Sequence, residues 1–214
     1  MAIQPVEGRG RLMVKRIIIG GRGYIGSALA EKMPDAAIID WKNGGDYCDV
    51  PVDDWQQFDE IYWFAGHSSP RMCQEDPLGA FGNNSAGLVR LMKAMRKDAL
   101  LVYASTSCIL EYENRGKTPP VQDAMAFPKW AADQYAVVSG KCVVALRLGT
   151  VAGPSPQMRW DLAFNAMSCD AHQKGVVTVY NPQAKRPWLW LPDCVDFLSS
   201  LSENKPKAGI HYMW

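Results

Sequence analysis

Three glycines, at positions 20, 23 and 26, stand between the apolar run Val14–Ile19 and a helix-compatible segment, Ser27–Met33. That spacing suits the binding of a diphosphate. Gly20 permits a tight turn, Gly23 lets the backbone approach a pyrophosphate without an intervening Cβ, and Gly26 lets the helix lie close to the strand. The helix N-terminus, with Tyr24 and Ile25 in the same turn, offers free N–H groups to the anion. About twenty residues on, Ala37-Ile-Ile-Asp40 ends a second apolar run in a carboxylate. Asp40 can accept both hydroxyls of an adenosine ribose and would repel a 2′-phosphate, which favours NAD; Arg22 and Lys42 could each meet a 2′-phosphate and keep NADP open. Plain turn glycines are the competing reading, and the strand before, the helix after and Asp40 beyond weigh against it.

Further polar groups stand at the ends of other apolar runs. Ile61–Gly66 closes in Ala65 and Gly66, small residues that leave room for a cofactor. His67 follows them, and either faces the nicotinamide or substrate or is a satisfied structural histidine. Ala99–Ser107 opens into the hydroxyls of Ser105, Thr106 and Ser107, and Thr106 has a plain reading as a strand-end hydroxyl. Lys129 has a plain reading as a solvated helix lysine, and Glu111 and Tyr112 as loop surface. Trp160, Trp188 and Trp190 read as packing, with an aromatic wall around a sugar or base as the alternative.

The scaffold that positions these groups is written in hydrophobic periodicity. Strands are expected at Val14–Ile19, Ala36–Asp40, Ile61–Gly66, Ala99–Ser107, Cys142–Gly149, Val176–Tyr180 and Ile210–Trp214. Helices are expected at Ser27–Met33, Asp76–Lys97, Pro128–Ser139, Trp160–Lys174 and Cys194–Leu201, with a brief helical stretch at Val52–Phe58. The short segment 41–49 leaves the second crossover helix reduced or absent. In the long helix, Asn84, Leu88, Leu91, Met92 and Met95 recur at core-facing spacing while Arg90, Lys93, Arg96 and Lys97 take another side. Strands alternating with helices imply right-handed crossovers and an α/β, Rossmann-type doubly wound parallel sheet covered on both faces.

The 214 residues suit one domain, or one domain with a small appendage. With 48% hydrophobic and 21% charged residues the chain has ordinary globular composition. A net charge of +1 gives no electrostatic case for nucleic acid or a membrane surface. No apolar run reaches bilayer length, and the start lacks a signal-peptide core, so a cytoplasmic protein is expected. Residues 1–13 read as a polar, glycine-bearing arm. The six cysteines are scattered, with no C-x-x-C pair and no nearby histidine set, so reduced thiols and no metal site are expected.

Several motifs, in order, resemble the extended short-chain dehydrogenase/reductases, specifically the NAD-dependent epimerase/dehydratase group that acts on nucleotide sugars. Gly20-Gly-Arg-Gly-Tyr-Ile-Gly26 resembles its G-x-x-G-x-x-G, and Asp46-Tyr-Cys-Asp49 its D-I-x-D, which would place Asp46 and Tyr47 at the adenine. Phe64-Ala-Gly66, Asn84-Ser-Ala-Gly87, Val102–Ser107 and Arg147–Pro154 resemble further motifs of the family. Arg186–Asp193 resembles the segment whose arginine meets a substrate phosphate. The resemblance implies NAD as cofactor, a nucleotide sugar as substrate and a homodimer formed through the long helix and the helix after the lysine. It implies roles for Lys129 on the nicotinamide ribose, Thr106 on a sugar oxygen, and Thr150 and Arg186 toward substrate. The implied division is a Rossmann domain at 14–153 and a reduced substrate lobe at 154–214, its pocket small, open or completed by another subunit.

The sequence departs from the family at the active site. Four positions before Lys129, where the family has its acid/base tyrosine, stands Met125, and a thioether neither gives nor takes a proton near neutral pH. The Asp-Glu pair that dehydratases carry after the threonine is replaced by Ser107 and Cys108. Lys129, Glu111, Tyr112, Tyr135 or a group on the substrate is left to supply the proton chemistry. Three readings follow: a divergent epimerase/dehydratase-like enzyme, a non-catalytic dinucleotide sensor or scaffold, and an interaction subunit paired with a full-length relative.

Overall fold

The β-branched run Ile17-Ile-Ile19 forms the buried strand β1 (Arg16–Ile19), whose side chains alternate between two cores. In this computed structural model, which describes residues 14–204 and 206–214, β1 lies between β2 (Ala37–Ile39) and β3 (Glu60–Trp63). The sheet continues with β4 (Leu100–Thr106), β5 (Cys142–Leu148) and, at the far edge, β8 (Gly209–Met213), and every neighbouring pair is parallel. The expected arm at 1–13 lies outside the described residues.

Helices cover both faces, as a parallel sheet requires. One face takes α1 (Tyr24–Lys32) and α8 (Leu191–Ser200), with Leu29 and Leu198 packed among Ile18, Val102 and Val144. The other takes α4 (Gly87–Ala94) and α6 (Ala126–Val138), with Leu91, Met95 and Ala132 against Ile17, Trp63, Leu101 and Tyr103. Between β2 and β3 the crossover is reduced to three short 3-10 turns, at Trp41–Asn43, Tyr47–Asp49 and Val52–Gln57. A second, two-stranded parallel sheet pairs β6 (Thr150–Ala152) with β7 (Trp188–Trp190).

Several expectations change. The helix expected over Asp76–Lys97 begins after Asp76, whose carboxylate caps it at Gly79 N, and runs through α3 (Pro77–Phe81), a π turn at Gly82–Ala86, and α4. The π turn accommodates an extra residue and carries Asn83 and Asn84 toward the sheet end. A short helix, α2 (Pro70–Glu75), precedes it, capped by Ser69, and another, α5 (Ile109–Glu113), follows β4 where loop was expected. Helix α7 (Ala163–Lys174) starts three residues later than expected. Residues 176–180 form no strand: Val176, Val177, Val179 and Tyr180 are exposed, and none of them pairs in either sheet. Finally, residues 191–214, expected within the substrate lobe, return to the main sheet as α8 and β8.

Candidate active site

The glycine loop is shaped by contacts that leave no space for side chains. Gly20 takes φ +82°, and a Cβ there would press into the Phe64–Ala65 backbone; one on Gly26 would collide with the Gly20 carbonyl. Helix α1 then starts at Tyr24 with no side-chain cap and no acidic residue in its first turn. Its free N–H groups and their partial positive charge are left for an anion, which fits the pyrophosphate of a dinucleotide. Asp40, at the end of β2, is buried and accepts from Arg22 N at 2.8 Å and Lys42 N at 3.0 Å. It therefore pins the glycine loop to the strand end where a ribose would lie. The Lys42 amine turns back onto the Arg22 carbonyl at 3.1 Å, while Arg22 itself is exposed. Ile25 is half-buried behind the loop, against the core beneath α1.

The Tyr24 side chain turns away from the glycine loop's anion-facing side, into a buried hydrogen-bonded group. Its ring is buried, its hydroxyl donates to Gly153 O at 2.7 Å, and Asn165 Nδ2 donates back to it at 3.1 Å.

Behind β3 runs a directed chain of hydrogen bonds. Asp46 accepts from Cys48 N at 2.8 Å and shapes the turn that holds Tyr47. The Tyr47 ring lies 4.5 Å from that of Trp63, and its hydroxyl donates to Asn83 Oδ1 at 2.6 Å. Asn83 Nδ2 lies 3.3 Å from His67 Nδ1, and His67 Nε2 lies 3.4 Å from Asp76. Both imidazole nitrogens are thus committed within the protein. His67 braces the loop after β3. Ala65 N is held by Ile19 O at 2.9 Å, and Gly66 at φ +140° lies against Asn84. Asn84 Oδ1 is buried without a partner among the described residues, an acceptor beside the cofactor-facing strand end.

The proton-handling groups gather where β4 meets α6. Asp123 accepts from the N–H groups of Met125 and Ala126 at 3.2 and 2.9 Å, fixing the start of α6, and from the Tyr112 hydroxyl at 2.7 Å. One turn along, Lys129 donates through Nζ to Ala104 O at 2.5 Å. Burial pulls the Lys129 amine down to about 8, with Asp133, Cys73 and Cys108 opposing that fall in part. Thr106, buried at the end of β4, accepts from Cys108 N at 3.2 Å and keeps its own proton to donate. Met125 stands four residues before Lys129, on the same side of the helix. Of the groups weighed as replacement proton carriers, Tyr135 and Glu111 are exposed, and Tyr112 is bound to Asp123.

Beneath Lys129 lies a buried ionic network. Asp133 accepts from Tyr103 OH at 2.7 Å, Ser105 Oγ at 3.0 Å and Arg147 Nε at 2.8 Å. Arg147 also reaches Glu113 at 2.5 Å and Tyr212 OH at 2.9 Å, so β4, β5, β8, α5 and α6 are locked together. Burial raises the Asp133 carboxyl while Arg147 and the two hydroxyls counter it.

On the substrate side, Thr150 is half-buried in β6, its N–H held by Pro187 O at 2.9 Å. Arg186 is exposed and makes no hydrogen bond or ion pair among the described residues. Trp188 and Trp190 lie on the exposed face of β7 and Trp160 is exposed before α7, so these rings are not core. The Phe164 ring meets Trp188 edge-on at 5.7 Å.

Sequence reasoning missed three parts of this arrangement. Asp123 had a usable signal, an acidic residue just ahead of a helix. Asp133 stands one helical turn after Lys129, which places it on the same face. Asn165, which joins Gly153, Arg159 and Tyr24, had none, because its partners are distant in the chain.

The fold is shared with solved enzymes. A dehydratase described as a novel NAD-dependent NDP-hexosamine 5,6-dehydratase, TunA, involved in tunicamycin biosynthesis, superimposes with a TM-score of 0.76 at 18% identity, covering 94% of this chain and 75% of that one. The UDP-glucuronic acid 4-epimerase of Bacillus cereus, in complex with UDP-glucuronic acid and NAD, gives 0.74 at 18% identity over 93% and 77% of the two chains. The UDP-glucose 4-epimerase of Thermotoga maritima, with UDP-glucose, gives 0.72 at 16% identity over 93% and 76%. At these identities the likeness speaks to the fold. Among the described residues no helix is long and apolar enough to cross a membrane. The sequence profile of the NAD-dependent epimerase/dehydratase family matches residues 16–212, nearly the whole chain, and the protein belongs to that family.

Proposed function

We propose that the protein is an NAD-dependent oxidoreductase of nucleotide sugars in which Lys129 accepts the hydroxyl proton that a tyrosine takes elsewhere in the family. The observation that carries this reading is the enclosed Lys129 amine, held by Ala104 O and brought down to about 8. The loop of Gly20, Gly23 and Gly26, the N–H groups at Tyr24 and Ile25, Asp40, Asp46, Tyr47, Ala65 and Gly66 would hold NAD. When bound, the nicotinamide supplies the hydride acceptor.

The residues of the chain divide the remaining work. Lys129, neutral in part near pH 8, takes the proton of the sugar hydroxyl as it is oxidised. Thr106 donates a hydrogen bond to the sugar oxygen and positions it. Met125 fills the tyrosine's place with an apolar group that excludes water beside the amine, and Asp123 fixes the turn carrying both. Thr150 and the exposed guanidinium of Arg186 face the diphosphate side of the substrate. UDP-sugars are the first substrates to try, because two of the similar structures carry them.

Met125 also supports a second reading, a dinucleotide-binding sensor or scaffold without hydride transfer. Single-turnover nicotinamide absorbance against a panel of nucleotide sugars separates the two. A signal in wild type that Lys129→Met abolishes supports the enzyme, and silence in wild type with intact NAD binding supports the sensor. A homodimer is proposed as well, through the long helix at 77–94 and α6, where Leu78 and Phe81 on the first and Tyr135, Val137 and Val138 on the second are exposed. Sedimentation at micromolar concentration tests it, a monomer refuting it.

A further inference from the structure

The segment 153–165, which leaves β6 and enters α7, crosses from the glycine loop to the loop after β3, and it is tied very differently to the two. At the first, Gly153 takes φ +124°, its carbonyl accepts from Tyr24 OH at 2.7 Å, and its N–H donates to Asn165 Oδ1 at 3.1 Å. Asn165 is 3% exposed, and its Nδ2 reaches both Tyr24 OH and Arg159 O, at 3.1 and 3.0 Å. Ser155 Oγ adds a bond to Tyr24 O at 2.7 Å and lies 3.1 Å from Ser27 Oγ. Polar groups so fully paired and enclosed hold their geometry, because opening them would strand buried donors and acceptors.

To the loop after β3 the segment has a single exposed tie, made by the Arg159 side chain, while the Arg159 carbonyl stays bound to Asn165. Asp161 grips Arg159 in a two-point ion pair, at 2.7 and 2.5 Å, which aims Arg159 Nη1 at Ser68 Oγ, 2.8 Å away. Ser68 is exposed and belongs to the loop that follows Gly66. The segment therefore spans the two walls of the dinucleotide cleft: the N-terminus of α1 on one side, the end of β3 on the other. One wall is joined by buried bonds and the other by a water-exposed one, so release at Ser68 costs far less than release at Tyr24.

We infer that residues 153–165 form a gate over the dinucleotide site, hinged at Tyr24, Gly153 and Asn165 and latched by Arg159 on Ser68. The inference rests on the cofactor reading above and adds to it a route of exchange. The dinucleotide enters and leaves when the latch opens, and the latch residues set its residence time without touching the reacting atoms. A closed gate suits chemistry in which the hydride returns to the same substrate, since no exchange of the dinucleotide is needed between turnovers.

The test is the binding kinetics of NADH, followed by energy transfer from protein tryptophan, with wild type, Ser68→Ala and Arg159→Met. Loss of the latch is expected to raise the association and dissociation rate constants together, each roughly tenfold, the equivalent of about 1.4 kcal/mol in the opening equilibrium. The dissociation constant is expected to move less than about threefold, because both rates share one gate. Unchanged rates in both variants would overturn the inference. So would faster dissociation alone with correspondingly weaker affinity, which would make these residues ligand contacts. A wild type that binds no NADH removes the cofactor reading and the gate with it, whereas normal binding with indifferent variants removes the gate alone. Ser68 is an exposed loop residue, so its alanine variant is expected to fold as wild type does.

Discussion

Replacing Lys129 by arginine keeps a cation beside Ala104 O and removes the only thing the proposed chemistry asks of the amine, its ability to lose a proton. Burial brings Lys129 from 10.5 to about 8. At neutral pH about one such amine in ten is uncharged, against about one in three thousand for an exposed lysine, roughly a 300-fold gain in competent base. A guanidinium stays charged throughout. Turnover in Lys129→Arg is therefore expected to fall by about 10²–10⁴, the usual contribution of a positioned base, with NADH affinity changed less than about tenfold. The wild-type rate is expected to rise about tenfold per pH unit up to about pH 8 and then level. The same shift has a stability consequence. The unfolded chain binds more protons at this lysine than the folded one between about 8 and 10.5, so stability gains with rising pH across that window. Lys129→Met should then melt a few degrees, about 2–5 °C, above wild type near pH 7, the gap closing above about pH 10.5. Single-turnover absorbance from pH 6 to 10, alongside melting curves, measures both. An arginine variant retaining about a tenth or more of wild-type turnover, or a flat wild-type pH profile, would refute the reasoning.

Asp40→Ala is expected to weaken NAD more than NADP, and to lower stability by about 1–3 kcal/mol, because Arg22 N and Lys42 N lose their acceptor; titration calorimetry with both dinucleotides and urea unfolding read the two effects. Asp133→Asn strips the charge that Arg147 faces inside the core and should cost about 3–5 kcal/mol by urea unfolding, with Glu113 left as its remaining ionic partner. Met125→Tyr is expected to leave turnover unchanged or lower it, because the site is arranged around the lysine; hydride transfer gained over a silent wild type would favour the sensor reading.

Much of the cofactor half was legible because its information is local. The strand Ile17–Ile19, three glycines and Asp40 lie within one short stretch, and each requirement, a tight turn, a close backbone approach, a carboxylate at the strand end, is met by residue type alone. The reduced crossover could be read from the short segment 41–49. The catalytic half was legible only in part: Met125 could be counted four positions before Lys129, but neither the earlier start of the helix at Ala126 nor the hold on the amine, which depends on Ala104 from another element, could be read. Apolar residues at 176–180 suggested a strand from composition, yet a strand needs a partner edge, and the sequence does not say where edges lie. For His67 the sequence left two readings open, and for Tyr24 it spoke only of the helix N-terminus. Their side chains answer to Asn83, Asp76, Gly153 and Asn165, whose positions only the fold supplies.

The measurement closest to the central claim is nicotinamide absorbance in a single turnover of wild-type protein loaded with NAD⁺ and mixed with a UDP-sugar. The account predicts a transient of reduced nicotinamide, growing with pH toward about 8 and absent in Lys129→Arg. No reduced nicotinamide with any nucleotide sugar, from a protein that melts no higher with NAD⁺, NADH, NADP⁺ or NADPH, would contradict it.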